Sequence, residues 1–284
     1  TCLRDLVAAQ LAERKAEAGN WADIVLSLRM SMRLAPSSRA ASLEHGGEVA
    51  GLVFSPDGQS LLVGGEDATV ILWDVSSRSK RMEARTRGSV TAVAFAPDGL
   101  LFAAGDETSR CALWRATSLE SVGTLERKEG RVLSIALGSW PNPVLAVSMA
   151  SGAVLLLSVP DLGEVARLKP NGLLHGICFS PEGGLLAGGC GADDTYGLVT
   201  RGSRRRHSRA LRCWRLPREP GGPCEDLASL PFKGTVHATA FSPSGRLLAA
   251  GSEDRTVRTF LVDSAFEQVC CLDCPAGVRC RRRS

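Results

Sequence analysis

The chain has 284 residues, 44% hydrophobic yet only 5% aromatic, and its 34 Lys and Arg against 30 Asp and Glu give a net charge of +4. That length buries a sizeable core, and the composition makes it one of Leu, Val and Ala. There is no run of the ~18 apolar residues that cross a bilayer, and the first residues lack the order of a signal peptide, so no membrane partner is expected and a soluble, intracellular, cytoplasmic protein is.

Leu3, Leu6, Val7 and Leu11 recur at helical spacing, and Ile24, Val25, Leu28 and Met32 repeat the pattern after Gly19-Asn20. These residues predict a helical hairpin over 1–36. Its stretch Gly19–Pro36, GNWADIVLSLRMSMRLAP, resembles the second half of a tetratricopeptide repeat, with Gly19 and Trp21 at the turn, Ser31 on the second helix and Pro36 at its end. An amphipathic hairpin outside that family fits the same residues.

From residue 37 to 284 the reading changes to short strands. Val49–Asp74, VAGLVFSPDGQSLLVGGEDATVILWD, gives an apolar run to Phe54, a turn at Ser55-Pro56-Asp57-Gly58, a second run from Leu61 to Gly65, a turn at Glu66-Asp67-Ala68 and a third run to Trp73. Pro56 pre-sets φ, Asp57 bonds its own backbone and Gly58 accepts a positive φ, so residue chemistry specifies the first turn. The run recurs over Val90–Arg115, in worn form from Val132 with Leu157 at the Trp position, from Phe179 as FSPEGGLLAGG, and from Ala238 as ATAFSPSGRLLAAGSEDRTVRTF. Phe54 and Phe95 are 41 residues apart, as are Trp73 and Trp114. Such a period, with four short strands per unit, predicts an all-β fold, a beta-propeller of four-stranded blades that bury their faces against one another. FSPDG, GGEDATVILWD and GSEDRTV make the chain resemble the WD-repeat family over about residues 40–265.

In that family the outer strand of a blade comes just ahead of the next copy. The resemblance therefore implies outer strands near Arg81–Arg85, Ser121–Leu125, Glu164–Leu168, Leu227–Leu230 and Phe266–Leu272. Phe54, Phe95, Phe179, Trp73, Trp114 and Trp214 are the expected core anchors. Five copies and a fraction are an awkward count, because propellers close with ~4 to 8 whole blades and seven is the number this family most resembles. CPAGVRCRRRS, Cys274–Ser284, looks like the opening of a sixth copy. Further blades, a degenerate blade from the first 40 residues, or a tail foreign to the fold after Val269 would each account for the count.

The fourth copy is interrupted at about 191–209 by GADDTYGLVTRGSRRRHSR, expected to be disordered. A solvated loop, a nuclear-import signal, a nucleic-acid contact and a kinase-addressed Ser208 all fit its arginines. Tyr196 is its one aromatic residue, so base-stacking recognition has no platform and a nucleic-acid partner is not expected. The ten cysteines are scattered as in a reducing compartment. Cys270, Cys271, Cys274 and Cys280 contain one C-x-x-C, but adjacent Cys270-Cys271 is poor zinc geometry, and neither metal nor cofactor is expected.

The histidines are His45, His175, His207 and His237, and no G-x-S-x-G, H-E-x-x-H or phosphate-cradling glycine loop accompanies them. The WD-repeat resemblance gives His45 a structural role, bonding Asp67 of its own blade beneath Trp73. By phase along the copies, the same resemblance places Glu48, Glu66, Thr91, Glu107, Arg131, His175, His237 and Glu253 on a partner-binding face. It implies a non-catalytic scaffold for other proteins or peptides, basic ones given the glutamates, in multiprotein complexes. The alternative is a propeller hydrolase or lactonase using His175 and His237 with nearby carboxylates. Trp73-Asp74-Val75-Ser76 and Trp114-Arg115 lack the Trp-Asp-x-Arg expected of a cullin-ligase adaptor.

Overall fold

A computed structural model of the chain describes residues 43–139, 142–191, 209–217, 219 and 221–273. The helical hairpin expected over 1–36, residues 192–208 of the arginine-rich insertion and the tail from 274 lie outside them.

The described residues form five antiparallel four-stranded sheets, each with its strands in sequence order. The first sheet holds β1 (Val49–Phe54), β2 (Ser60–Gly65), β3 (Thr69–Asp74) and β4 (Lys80–Arg85). The second holds β5 (Val90–Phe95), β6 (Leu101–Asp106), β7 (Arg110–Arg115) and β8 (Ser121–Glu126). The third, from the worn copy, holds β9 (Val132–Ser139), β10 (Pro143–Met149), β11 (Val154–Ser158) and β12 (Glu164–Leu168). The fourth holds β13 (Leu173–Phe179), β14 (Leu185–Gly191), β15 (Ala210–Arg215) and β16 (Glu225–Pro231), and the fifth β17 (Val236–Phe241), β18 (Leu247–Ser252), β19 (Thr256–Leu261) and β20 (Glu267–Asp273). The propeller-type blades expected from the repeat are therefore present, and the five outer strands fall where the copies placed them. Val269 lies inside β20, so the last blade continues past it as far as Asp273. The insertion leaves its ladder intact, with Cys190 paired to Ala210 across it.

In the first, second, fourth and fifth blades the first hairpin is fixed by its turn. In the first blade Gly58 N donates to Ser55 O at 2.8 Å, Gln59 N to Asp57 Oδ1 at 3.0 Å, and Ser55 Oγ to the same carboxylate at 2.5 Å. Those bonds, the Ser55 hydroxyl first, hold the Asp57 carboxyl below the usual range. Gly58 stands at φ 71°, and Gly99, Gly183 and Gly245 repeat it at 72°, 78° and 75°, a region that favours glycine.

β5, β9, β13 and β17 each pack on the first two strands of the preceding blade, from β5 against β1 and β2 to β17 against β13 and β14. The seam has a rule. The fifth residue of the second strand is Gly64, Gly105 or Gly189, and Val90, Val132 or Val236 of the next blade fills the space a Cβ there would need. In the third blade Ser148 takes that position and donates from Oγ to Leu174 O at 2.7 Å. Val90, Val132, Leu174 and Val236 are each at most 1% exposed.

Trp114 and Trp214 are buried, and Trp114 stacks on Phe102 with ring centroids 5.3 Å apart. Phe95 is buried beside Leu62 and Leu72 of the first blade, while Trp73 and Phe179 are half-buried. Phe54 departs from the expectation: it is 46% exposed, and among the described residues no other blade packs on its side of the first blade as the first blade packs on Phe95.

Candidate functional site

The corner that leads into β1 wraps the turn after β2. His45, its side chain 5% exposed, places Nδ1 3.5 Å from Asp67 Oδ2, and Nε2 stands 3.5 Å from Thr69 Oγ1. Asp67 Oδ1 accepts from Thr69 N at 3.1 Å and from Thr69 Oγ1 at 2.7 Å. Burial opposes the charge on Asp67, but the Thr69 bonds and nearby His45 outweigh it and hold the carboxyl below its ordinary range. Gly46 and Gly47 let the chain close on this turn, since a Cβ on Gly47 would lie 2.9 Å from Asp67 N.

The same turn is capped elsewhere by different residues. Asp106 accepts from Thr108 N at 2.8 Å, Thr108 Oγ1 at 2.7 Å and Arg110 N at 3.1 Å. Asp254 accepts from Thr256 N at 3.1 Å and Thr256 Oγ1 at 2.6 Å, and Arg258 reaches it at 3.1 Å while lying over the Phe232 ring. Sequence reading found no role for Arg258. Its position two residues beyond the capping Thr256 was the available signal.

These turns carry the acidic residues assigned to the partner face. Glu66 N, Glu107 N and Glu253 N donate to Glu48 O, Ser89 O and Thr235 O at 2.9, 3.0 and 2.9 Å, and Ala150 N does the same to Arg131 O at 2.9 Å. Equivalent ends of four blades are thereby drawn to the same backbone pattern. Glu48, Glu66, Glu107 and Glu253 are exposed there, and Arg131 is half-buried. Glu107 Oε1 accepts from Ser89 Oγ at 3.0 Å. Thr91 stands apart in function, its hydroxyl donating to Gly105 O at 3.1 Å inside its own sheet.

His175 and His237, on the first strands of adjacent blades, meet with ring centroids 5.5 Å apart. His237 Nε2 is 3.1 Å from Glu253 Oε1, and Thr235 N donates to Glu253 Oε2 at 3.2 Å. Burial works against the Glu253 charge, yet the bonds from His237 and Thr235 prevail and its carboxyl titrates below the usual range. Cys178 lies on the same strand as His175, its Sγ 3.2 Å from Thr239 Oγ1. Burial pushes that thiol up to about 11, so it is held as a thiol rather than a nucleophilic thiolate.

Among the described residues no group of three or more His, Cys, Asp or Glu is placed to hold a metal ion. Cys270 and Cys271 are neighbours on β20 and so point to opposite faces of the strand, while Cys274 and Cys280 lie outside the described residues. A cleft of about 340 Å³ that sequence reading did not find is lined by Arg85, Arg87, Arg110, Asp106, Thr124 and Trp114, among others. Glu126 answers two of its arginines, standing 3.4 Å from Arg87 and 3.7 Å from Arg110. These residues come from separate copies, and no linear motif joins them.

No curated protein matches the chain. The family model described as WD domain, G-beta repeat matches residues 38–74, 78–115 and 225–260. The second and third matches each run from an outer strand, β4 or β16, through the first three strands of the following sheet. A sequence repeat thus spans two sheets, which staples neighbouring blades together. WD repeats generally serve as platforms for protein–protein interaction, and the chain carries them at three positions within a run of five four-stranded sheets.

Proposed function

We propose that the protein is a non-catalytic interaction scaffold whose recognition surface is the blade end carrying Glu66, Glu107 and Glu253, and that its ligand is a basic peptide segment of another protein. The observation that carries this reading is the recurrence of an exposed glutamate at the start of the same turn in the first, second and fifth blades. The chain as a whole is cationic, so this local reversal of sign favours a basic partner and disfavours acidic ones. Glu253 is held by His237 and Thr235, and Glu107 by the backbone and hydroxyl of Ser89. Cys178, on the strand that carries His175, is held as a thiol by burial and is poorly suited to nucleophilic attack, which favours binding over hydrolysis.

The test is fluorescence anisotropy with a labelled Lys/Arg-rich peptide and the variant Glu66→Gln/Glu107→Gln/Glu253→Gln. Exposed pairs contribute roughly 0.5 kcal/mol each, so the variant should bind about tenfold more weakly. Its salt dependence should also flatten. Equal affinity for wild type and variant, with unchanged circular dichroism, would move recognition elsewhere.

A further inference from the structure

The second blade is hollow at a position that other blades fill with a guanidinium group. Two residues before the Trp position of the repeat stand Arg212 in the fourth blade and Arg258 in the fifth. Arg212 lies over the Trp214 ring and bonds Asp226, and Arg258 lies over the Phe232 ring and bonds Asp254. In the second blade the same position is Ala112, paired across the sheet with Ala104 of β6. Side chains this small leave the cleft of about 340 Å³ over that face. Arg110 and Trp114 flank Ala112 on the same face of β7, and Arg85 and Arg87 reach the cleft from the end of the first blade. Its donors are poorly met. Arg110 Nε is buried with no hydrogen-bond partner, and the carboxylate beside it, Glu126 Oε2, stands at 3.7 Å, beyond bonding reach. Arg87 meets Glu126 Oε1 only at 3.4 Å, with the two side chains 62% and 59% exposed. Asp106 is buried and commits its Oδ1 to Thr108 and the Arg110 amide. Arg85 forms no ion pair among the described residues, and Glu83, two residues back on its strand, is held by Lys80 at 2.8 Å.

We infer that this cleft is a second recognition site, apart from the acidic turns, and that it takes a phosphomonoester: the phosphorylated serine or threonine side chain of a partner protein. A buried donor without a partner, beside two further guanidinium groups, calls for an anion. Glu126 decides which kind. It already offers the arginines one carboxylate, so an incoming carboxylate or phosphodiester, each with a single charge, only replaces what is there. A phosphomonoester brings about two charges and three acceptor oxygens. Three arginines face two carboxylates here, and with Glu126 displaced the excess is two, which the dianion balances. Exposed pairs of the Glu126 kind are weak, so an incoming dianion displaces this one readily. The partner protein as source of the phosphoryl group rests on the scaffold reading, whereas the preference for a dianion rests on the cleft alone.

Fluorescence anisotropy on the full chain tests this, with a labelled Gly/Ala peptide carrying one phosphoserine and its unphosphorylated form as probes. The phosphopeptide should bind and the unphosphorylated peptide should not. Arg85→Gln should weaken binding about tenfold, since it removes a charge-assisted bond. Glu126→Gln should strengthen it about threefold, because the competing carboxylate is gone, an effect that a merely structural Glu126 would not produce. Arg85 and Glu126 are exposed, so both variants are expected to keep the wild-type circular dichroism spectrum, and Arg87→Gln serves should Arg85→Gln unfold. The variant Glu66→Gln/Glu107→Gln/Glu253→Gln should not weaken phosphopeptide binding, and Arg85→Gln should not weaken binding of the Lys/Arg-rich peptide, so failure at one site is told apart from failure at the other. A phosphopeptide bound by neither wild type nor Glu126→Gln overturns the inference, as does an affinity indifferent to Arg85→Gln and Arg87→Gln. Equal competition by inorganic phosphate, or tighter binding of a single-stranded DNA oligonucleotide with the same Arg85 dependence, overturns the phosphorylated partner as the ligand.

Discussion

Val90 occupies the space in which a side chain on Gly64 would have to sit: a Cβ there would lie 2.5 Å from Val90 Cγ1 and 2.8 Å from Val93 Cγ1. Gly64→Val should therefore destabilise the chain by about 1–3 kcal/mol through overpacking of the first seam. Gly64→Ala with Val90→Ala should recover part of what Gly64→Ala loses alone, because the two residues share one volume. Urea denaturation of the singles and the double measures this, and strictly additive losses would separate the two positions.

Trp114 and Phe54 are both expected core anchors of the repeat but differ in burial, 7% against 46% exposed. Trp114→Ala should cost ~3–5 kcal/mol, since it removes the partner stacked on Phe102 and leaves a cavity. Phe54→Ala should cost no more than ~0.5 kcal/mol in the monomer. Comparable losses for the two, read from melts at low protein concentration, would mean that the first blade's outer face is covered.

The contrast shows how far the sequence could be read. Strand order and outer strands were legible because FSPDG-type turns and alternating apolar runs are local chemistry, and even the worn third copy kept its spacing. Exposure of Phe54 was not legible, since identical residues in identical phase are buried or bare depending on whether another blade packs on that side, as the first blade does on Phe95. The capping of the turns was half legible: Asp67 and Asp254 share the spelling Glu-Asp-x-Thr, whereas Asp106 reaches the same backbone from two residues earlier. The meeting of His175 with His237 was legible as adjacency of blades, but the arginine cleft around Trp114 was not, because its members come from different copies.

The buried thiols should be chemically silent. Burial pushes Cys111 and Cys213 each up to about 12, while Cys270 and Cys271 are exposed on β20. Brief alkylation of the native protein at mildly alkaline pH, mapped by mass spectrometry, should label Cys270 and Cys271 and spare Cys111 and Cys213. Equal labelling of Cys111 would show that the seam between the second and third blades opens readily.

Asp74 offers a pH-dependent mark on the end of β3. Bonds from Ser77 N at 2.8 Å, Ser76 Oγ at 2.7 Å and Ser77 Oγ at 2.9 Å lower its carboxyl from 3.8 to about 2. A carboxyl depressed on folding adds stability above its unfolded value, so the Asp74 contribution is present above 3.8 and disappears as pH falls toward about 2. A carbon-13 NMR titration should find its midpoint near that lower value, and Ser77→Ala should move it upward. An Asp74 midpoint indifferent to Ser77→Ala would remove the hydroxyl from the turn.

The recognition surface is tested most directly by hydrogen exchange, read by mass spectrometry, with and without a saturating Lys/Arg-rich peptide. Bound peptide should slow exchange in the turns that follow β2, β6 and β18, at Glu66–Thr69, Glu107–Arg110 and Glu253–Thr256, and leave the outer strands β4, β8 and β12 unchanged. Protection confined to those outer strands, or none at the three glutamate turns under saturating peptide, would contradict the assignment of this blade end as the binding face.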